Sequence, residues 1–163
     1  MKRLLIVWHS RTGAARAMAE AAAAGAVAEP DVEVRMLGAD DAHPDDLLAA
    51  DGYVFACPEN LAAMSGAMKE FFDRNYYPAL ERLNGRPYAM LIAAGGDGTG
   101  AARQMARILT GWRLKPIAEP LILCTEAQTP ERIAAPKTPG KTALGPCREL
   151  GAAMAAGLAM GVF

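Results

Sequence analysis

The sequence predicts an α/β protein, a doubly wound sandwich built on a five-stranded parallel sheet in the order 2-1-3-4-5. Short apolar runs of strand length alternate along the chain with alanine- and methionine-bearing segments of helical period. Strand–helix alternation with right-handed crossovers gives a parallel sheet covered by helices on both faces. Three of the runs also stop abruptly in polar or glycine-rich loops, at 9–13, 57–65 and 95–100. In this strand order those loops converge on one crevice outside the carboxyl ends of the strands.

Arg3–Trp8 is the first strand, a continuous apolar run of the kind buried on both faces. Leu4–Trp8 is too short for the core of a signal peptide, although Met1-Lys2-Arg3 precedes it. The helix read over Ala14–Ala28 follows, its alanines favouring helix and Met18 lying on a small-residue face, with Pro30 as its stop. Asp31–Leu37 alternates, Val32, Val34 and Met36 against Glu33 and Arg35, which predicts a half-exposed edge strand. His43-Pro44-Asp45-Asp46 opens a short helix.

Gly52–Ala56 is the third strand, expected to end before Cys57-Pro58-Glu59-Asn60 because proline removes a ladder donor. Ser65 N-caps a helix whose core stripe is Met68, Phe71, Phe72 and Tyr76. Tyr88–Ala94 is the fourth strand. A helix carrying Met105, Ile108, Leu109 and Trp112 leads to the fifth, Ile117–Cys124, where Pro120 marks an edge or a bulge. Thr125–Pro146 holds four prolines, and a connection this long in a compact domain is functional or mobile. Gly151–Phe163 reads as a docked last helix, shorter than the roughly 20 residues needed to span a bilayer.

At 163 residues and 52% apolar composition, residues 1–163 are expected to form a single domain. A chain of this length buries about 70% of its unfolded surface. A net charge of −1 gives no electrostatic footprint for nucleic acid or an anionic membrane, so small molecules or proteins are the expected partners. Cys57, Cys124 and Cys147 fit neither a disulfide framework nor a zinc site, which leaves no metal expected and a reducing cytoplasmic setting.

The loop His9-Ser10-Arg11-Thr12-Gly13 runs straight into Ala14-Ala15 and the first helix. A helix N-terminus carries unpaired N–H groups and about half a positive charge, so hydroxyls and a glycine placed there form an anion cradle. Ser10 and Thr12 can donate to the anion, and Gly13 lets the backbone approach it closely.

These residues resemble the flavodoxin-like FMN-binding family, which includes flavodoxins and the related NAD(P)H:quinone oxidoreductases. His9-Ser10-Arg11-Thr12-Gly13 is similar to the family loop that wraps the FMN phosphate, with Ala14 and Ala15 at its end. Pro58-Glu59-Asn60-Leu61, continuing through Met64–Lys69 and Phe71–Arg74, resembles the segment beside the isoalloxazine ring. Gly95-Gly96-Asp97-Gly98 stands where the family's third flavin loop lies. The likeness covers residues 1 to about 124 and implies these three loops as the FMN site. It further implies NAD(P)H as electron donor, a small-molecule acceptor such as a quinone, and leaves self-association open.

Two departures bear on function. The family loop commonly ends in a third hydroxyl where this chain has Ala15, and a polar residue is frequent at Ala14. Losing one hydrogen bond to a charged group costs about 1.5–3 kcal/mol, or roughly one to two decades of affinity, so weak FMN retention is expected. No Trp or Tyr occurs in 57–67 or 94–103, where electron-carrier flavodoxins commonly stack aromatics on the ring. An unstacked ring face leaves room for a nicotinamide, which favours hydride transfer in an FMN-dependent oxidoreductase. The alternatives are an electron-transfer flavodoxin and a non-enzymatic binding protein with a degraded phosphate loop.

Other signals have plainer explanations. Gly96-x-Gly98-x-x-Ala101, with Glu119 near the expected offset, formally fits a dinucleotide fingerprint but follows the fourth strand rather than the first. His9 ends a strand and Cys57 reads as a small buried hydrophobe. Lys69–Asp73 and Glu70–Arg74 are i, i+4 surface pairs. Glu59 and Asn60 stand at the second loop, where they could orient a substrate, although turn chemistry alone also explains Asn60. A two-component receiver would need an acidic cluster after the first strand, which His9-Ser10-Arg11 does not supply.

Overall fold

The computed structural model describes residues 1–163. Its strands are β1 (Lys2–Trp8), β2 (Val32–Gly38), β3 (Gly52–Asn60), β4 (Ala63–Met64), β5 (Pro87–Ala94), β6 (Lys115–Pro116) and β7 (Leu121–Cys124). The helices are α1 (Ala14–Ala26), α2 (Pro44–Ala49), α3 (Gly66–Ala79), α4 (Thr99–Gly111), α5 (Pro130–Ala134) and α6 (Lys141–Met160). The sheet order is β2-β1-β3-β5, with β6 and β7 both paired to β5 on its far side. All of these pairs are parallel, and only the two-residue β4 runs antiparallel, against the tip of β3.

Strand alternation sorts the core into two faces. Leu5, Val7, Tyr53, Phe55, Met90 and Ile92 point toward α2, α3 and α4, while Leu4, Ile6, Val54, Ala56, Leu91 and Ala93 point toward α1 and α6. The first face is aromatic: Phe55, Phe71, Phe72 and Trp112 pack with ring centroids 5.1–6.4 Å apart. The second is built from small residues. A Cβ on Gly25 would lie 1.9 Å from the Arg148 carbonyl oxygen, and one on Gly151 1.9 Å from that of Ala22, so α1 and α6 touch backbone to backbone.

Five expectations are corrected. β3 does not stop at Ala56 but runs through Pro58 to Asn60, with Pro58 in register with Ala93. The Ala56 carbonyl accepts from His9 N–H at 2.9 Å, so positions 56 and 58 both face β1, which has already ended at Trp8. The missing proline N–H therefore has no ladder partner to lose, and the Pro58 carbonyl accepts instead from Ser65 N–H at 3.2 Å. The strand read over Ile117–Cys124 is split into β6 and β7, with Pro120 in the gap, and occupies the predicted fifth position at the edge.

Tyr76 leaves the α3 stripe for the surface, and Asn75 is buried in its place, donating to the Phe71 carbonyl at 2.8 Å. The last helix begins at Lys141 and contains Pro146. Pro146 lies in its second turn on the exposed face, so the Thr142 carbonyl, which loses its main-chain donor to the proline, is on the solvent side. α1 closes at Ala26, before Pro30 is reached.

No helix is long and apolar enough to cross a membrane.

Candidate functional site

The carboxyl ends of β1, β3 and β5 open into a cleft of about 400 Å³. Its first wall is the loop after β1. Gly13 takes φ 110°, and its N–H donates to Ser10 Oγ at 3.0 Å, which closes the loop and leaves the Ser10 O–H proton free to donate outward. The first main-chain bond of α1 runs from Ala17 N–H to the Gly13 carbonyl at 2.9 Å. The N–H groups of Ala14, Ala15 and Arg16 thus have no intrahelical acceptor, and Ala14 and Ala15 line the cleft with Ser10, Arg11 and Thr12.

The second wall is the tip of β3, with Pro58, Glu59, Asn60 and Leu61. Leu61 (φ 53°) and Ala62 (φ 61°) form the turn to β4, both in the left-handed region that two-residue hairpin turns require and that glycine or asparagine usually fills. Leu61 is fully exposed at the mouth of the cleft.

Glu59 does something the sequence did not suggest. Its carboxylate accepts from Gly98 N–H at 2.9 Å and from Ala101 N–H at 3.0 Å, capping the N-terminus of α4 across the cleft floor. Both oxygens are thereby engaged, so a substrate-orienting role gives way to a structural one. The same bonds account for Gly96-x-Gly98-x-x-Ala101: an internal carboxylate sits on the N–H groups where a dinucleotide phosphate would bind. The closeness extends to Gly100, where a Cβ would lie 2.2 Å from the Ala62 carbonyl oxygen.

Of the third loop only Gly95 lines the cleft, together with Ala93 and Ala94 of β5. Gly98 is buried at φ 90° beneath it, and Gly96 points to solvent. Asp97 is turned into its own loop, accepting from Thr99 Oγ1 at 2.7 Å and Thr99 N–H at 3.2 Å, bonds that hold its carboxyl below the usual range. His9 does not line the cleft either. Its Nδ1 lies 2.8 Å from Oγ of the buried Ser65, so Ser65 occupies the N-cap position of α3 while its hydroxyl serves the end of β1. Burial first, then the Arg11 charge, lower the His9 pKa. Burial pushes the Cys57 thiol up to about 12, leaving it protonated and inert.

The fourth wall lies in the proline-rich connection, from which sequence reading named no residue. Thr125 N–H donates to the Ala94 carbonyl at 2.8 Å and Glu126 N–H to that of Gly95 at 2.9 Å, continuing the pairing of β7 with β5 past Cys124. At the other end Lys137 N–H donates to the Thr12 carbonyl at 2.7 Å. Between these anchors Thr125, Ala127, Ile133 and Lys137 complete the cleft. The only sequence signal was the length of the connection, since a segment without periodicity does not reveal what it packs against.

The donor set fits a ligand that is a phosphate monoester at one end and a flat apolar ring at the other. Ser10, Thr12, Arg11, Lys137 and the free N–H groups of α1 gather at one end, while Pro58, Leu61, Ala93, Ala94 and Ile133 supply apolar surface. No group of three or more His, Cys, Asp or Glu that could hold a metal is present.

The family model described as NADPH-dependent FMN reductase matches residues 4–128. The chain belongs to that family. The match spans β1 through β7 and the first residues of the connection, so it includes the three strand-end loops and stops before α5. A flavodoxin of Aquifex aeolicus is 34% identical over 110 residues, 68% of this chain and 60% of that protein. An NAD(P)H dehydrogenase (quinone) of Acidithiobacillus ferrooxidans is 36% identical over 94 residues, 45% of this chain and 47% of that protein. The chain thus spans about half to three fifths of the length of these curated relatives. Among solved structures, a flavodoxin from the domain Archaea superposes with TM-score 0.76 at 21% identity, covering 96% of this chain and 98% of that one, which shows the flavodoxin-like fold.

Proposed function

We propose that this chain is an FMN-dependent oxidoreductase that passes reducing equivalents from NAD(P)H to quinone-like or other small acceptors. The observation that carries the reading is the cleft itself: an anion-binding wall faces an apolar wall, and none of the lining residues is aromatic. Ser10, Arg11, Thr12 and the N–H groups of Ala14 and Ala15 would hold the phosphate, with Gly13 shaping the turn. Pro58, Asn60, Leu61 and Gly95 would border the ring. His9 acts through Ser65, and Glu59, Gly96, Asp97 and Gly98 keep the loops in place.

FMN held there would supply hydride-transfer chemistry. The chain's contribution is a ring face left uncovered, so that donor and acceptor can use it in turn. Residues 1–163 would act as one domain, and a reducing cytosol suits three unpaired cysteines.

The test is anaerobic addition of NADPH to protein loaded with FMN. Bleaching of the flavin absorbance, reversed by a quinone, is expected. Flavin that binds but is not bleached by NADPH or NADH would move the assignment to a one-electron carrier, the reading favoured by the flavodoxin of Aquifex aeolicus.

A further inference from the structure

We propose that Lys137 is the counter-ion of the FMN phosphate, brought to the phosphate loop by a strap formed from residues 125–140. This rests on the FMN reading above and adds to it a residue outside the three strand-end loops and outside the family match, which ends at 128. The strap is fixed at both ends of the cleft, by Thr125 on Ala94 and by Lys137 N–H on the Thr12 carbonyl at 2.7 Å. At the second anchor the fit is close. A Cβ on Gly13 would lie 2.9 Å from the Lys137 carbonyl oxygen, so the strap seats directly on the turn that opens α1.

The side chain is oriented by the strap as well. Lys137 Nζ donates to the Ile133 carbonyl at 3.0 Å and the Ala135 carbonyl at 2.6 Å, at the C-terminal end of α5. An ammonium has three N–H donors, and these two bonds leave one uncommitted. Lys137 is half-buried and lines the cleft with Ser10, Thr12, Ala14 and Ala15. Arg11, the other cation on that wall, is exposed and makes no hydrogen bond or ion pair that would hold it in place. Lys137 therefore brings a held positive charge to the same cleft whose phosphate-loop end, at Ala14 and Ala15, has no hydroxyl. Ile133, whose carbonyl holds Lys137 Nζ, lines the same cleft.

The experiment is a pair of fluorescence titrations of flavin-free protein, with FMN and with riboflavin, which lacks the phosphate. Wild type, Lys137→Met and Lys137→Arg are compared, since every variant keeps the main-chain bond to Thr12. Lys137→Met is expected to weaken FMN about 10- to 100-fold and riboflavin less than about twofold, with Lys137→Arg in between. The FMN affinity of wild type should also fall with added salt more steeply than that of Lys137→Met. Equal losses for FMN and riboflavin would make Lys137 a purely structural residue and overturn the proposal, as would an unchanged FMN affinity. Wild-type protein that binds neither flavin would overturn the FMN reading itself, and the role of Lys137 with it.

Discussion

The Glu59 carboxylate accepts the Gly98 main-chain N–H at 2.9 Å, and through this bond the tip of β3 holds the loop after β5. Its second oxygen takes Ala101 N–H at 3.0 Å, so one side chain from the second strand-end loop caps the helix that begins in the third. The two walls of the cleft are fixed relative to one another before any ligand arrives.

Glu59→Ala removes both bonds and uncaps α4. A loss of about 1.5–3 kcal/mol is expected, in the range for hydrogen bonds to a charged acceptor. Urea unfolding of the two proteins measures it, and equal midpoints would show that water replaces the carboxylate at no cost.

Leu61 and Ala62 both hold positive φ without the residues that tolerate it. Replacing Leu61 with Asn and Ala62 with Gly is expected to stabilise the protein by about 1–2 kcal/mol. The same change removes the exposed leucine at the mouth of the cleft, so flavin affinity should fall while the thermal midpoint rises. A lower midpoint would mean that the positive φ at Leu61 and Ala62 costs less than the two substitutions.

His9 gives stability a pH dependence. Its pKa is lowered on folding from an ordinary value of 6.5, so around and below that pH the unfolded chain binds more protons than the folded one. The contribution is present above about pH 6.5 and is lost as the pH falls through the folded-state value, when His9 must charge beside Ser65 and Arg11. His9→Asn, which keeps a polar partner for Ser65, should flatten the urea midpoint between about pH 7 and 5 relative to wild type. A parallel decline in both proteins would assign the dependence to carboxylates.

Ala15→Ser restores a hydroxyl to the end of the phosphate loop. About a tenfold tighter FMN affinity is expected, with riboflavin unaffected. Tighter binding of both flavins would instead point to a change in the packing of α1.

The sheet was legible because each buried strand is a short apolar run and each covering helix carries its own stripe. Local rules failed where a neighbour decides the outcome. Pro58 is tolerated in β3 only because β1 has ended beside it, and Pro146 lies inside α6 because its face is exposed. At the site, Ser10, Thr12 and Gly13 announced themselves by residue type and position. The roles of Glu59 and Lys137 did not, since both depend on contacts across long stretches of chain, Glu59 to Gly98 and Lys137 to Thr12. Tyr76 was misplaced for a related reason: helical spacing names a stripe, but the Trp112 ring packs on Phe71 and Phe72, one turn earlier, and Tyr76 lies at the exposed surface.

The most direct test of the central claim is the visible absorbance of the purified protein before and after addition of FMN. With Ala14 and Ala15 in the phosphate loop, little flavin is expected as isolated, and saturation should give a single bound flavin per chain with an affinity weaker than about nanomolar. An absence of bound flavin at saturating FMN would contradict the assignment of the cleft.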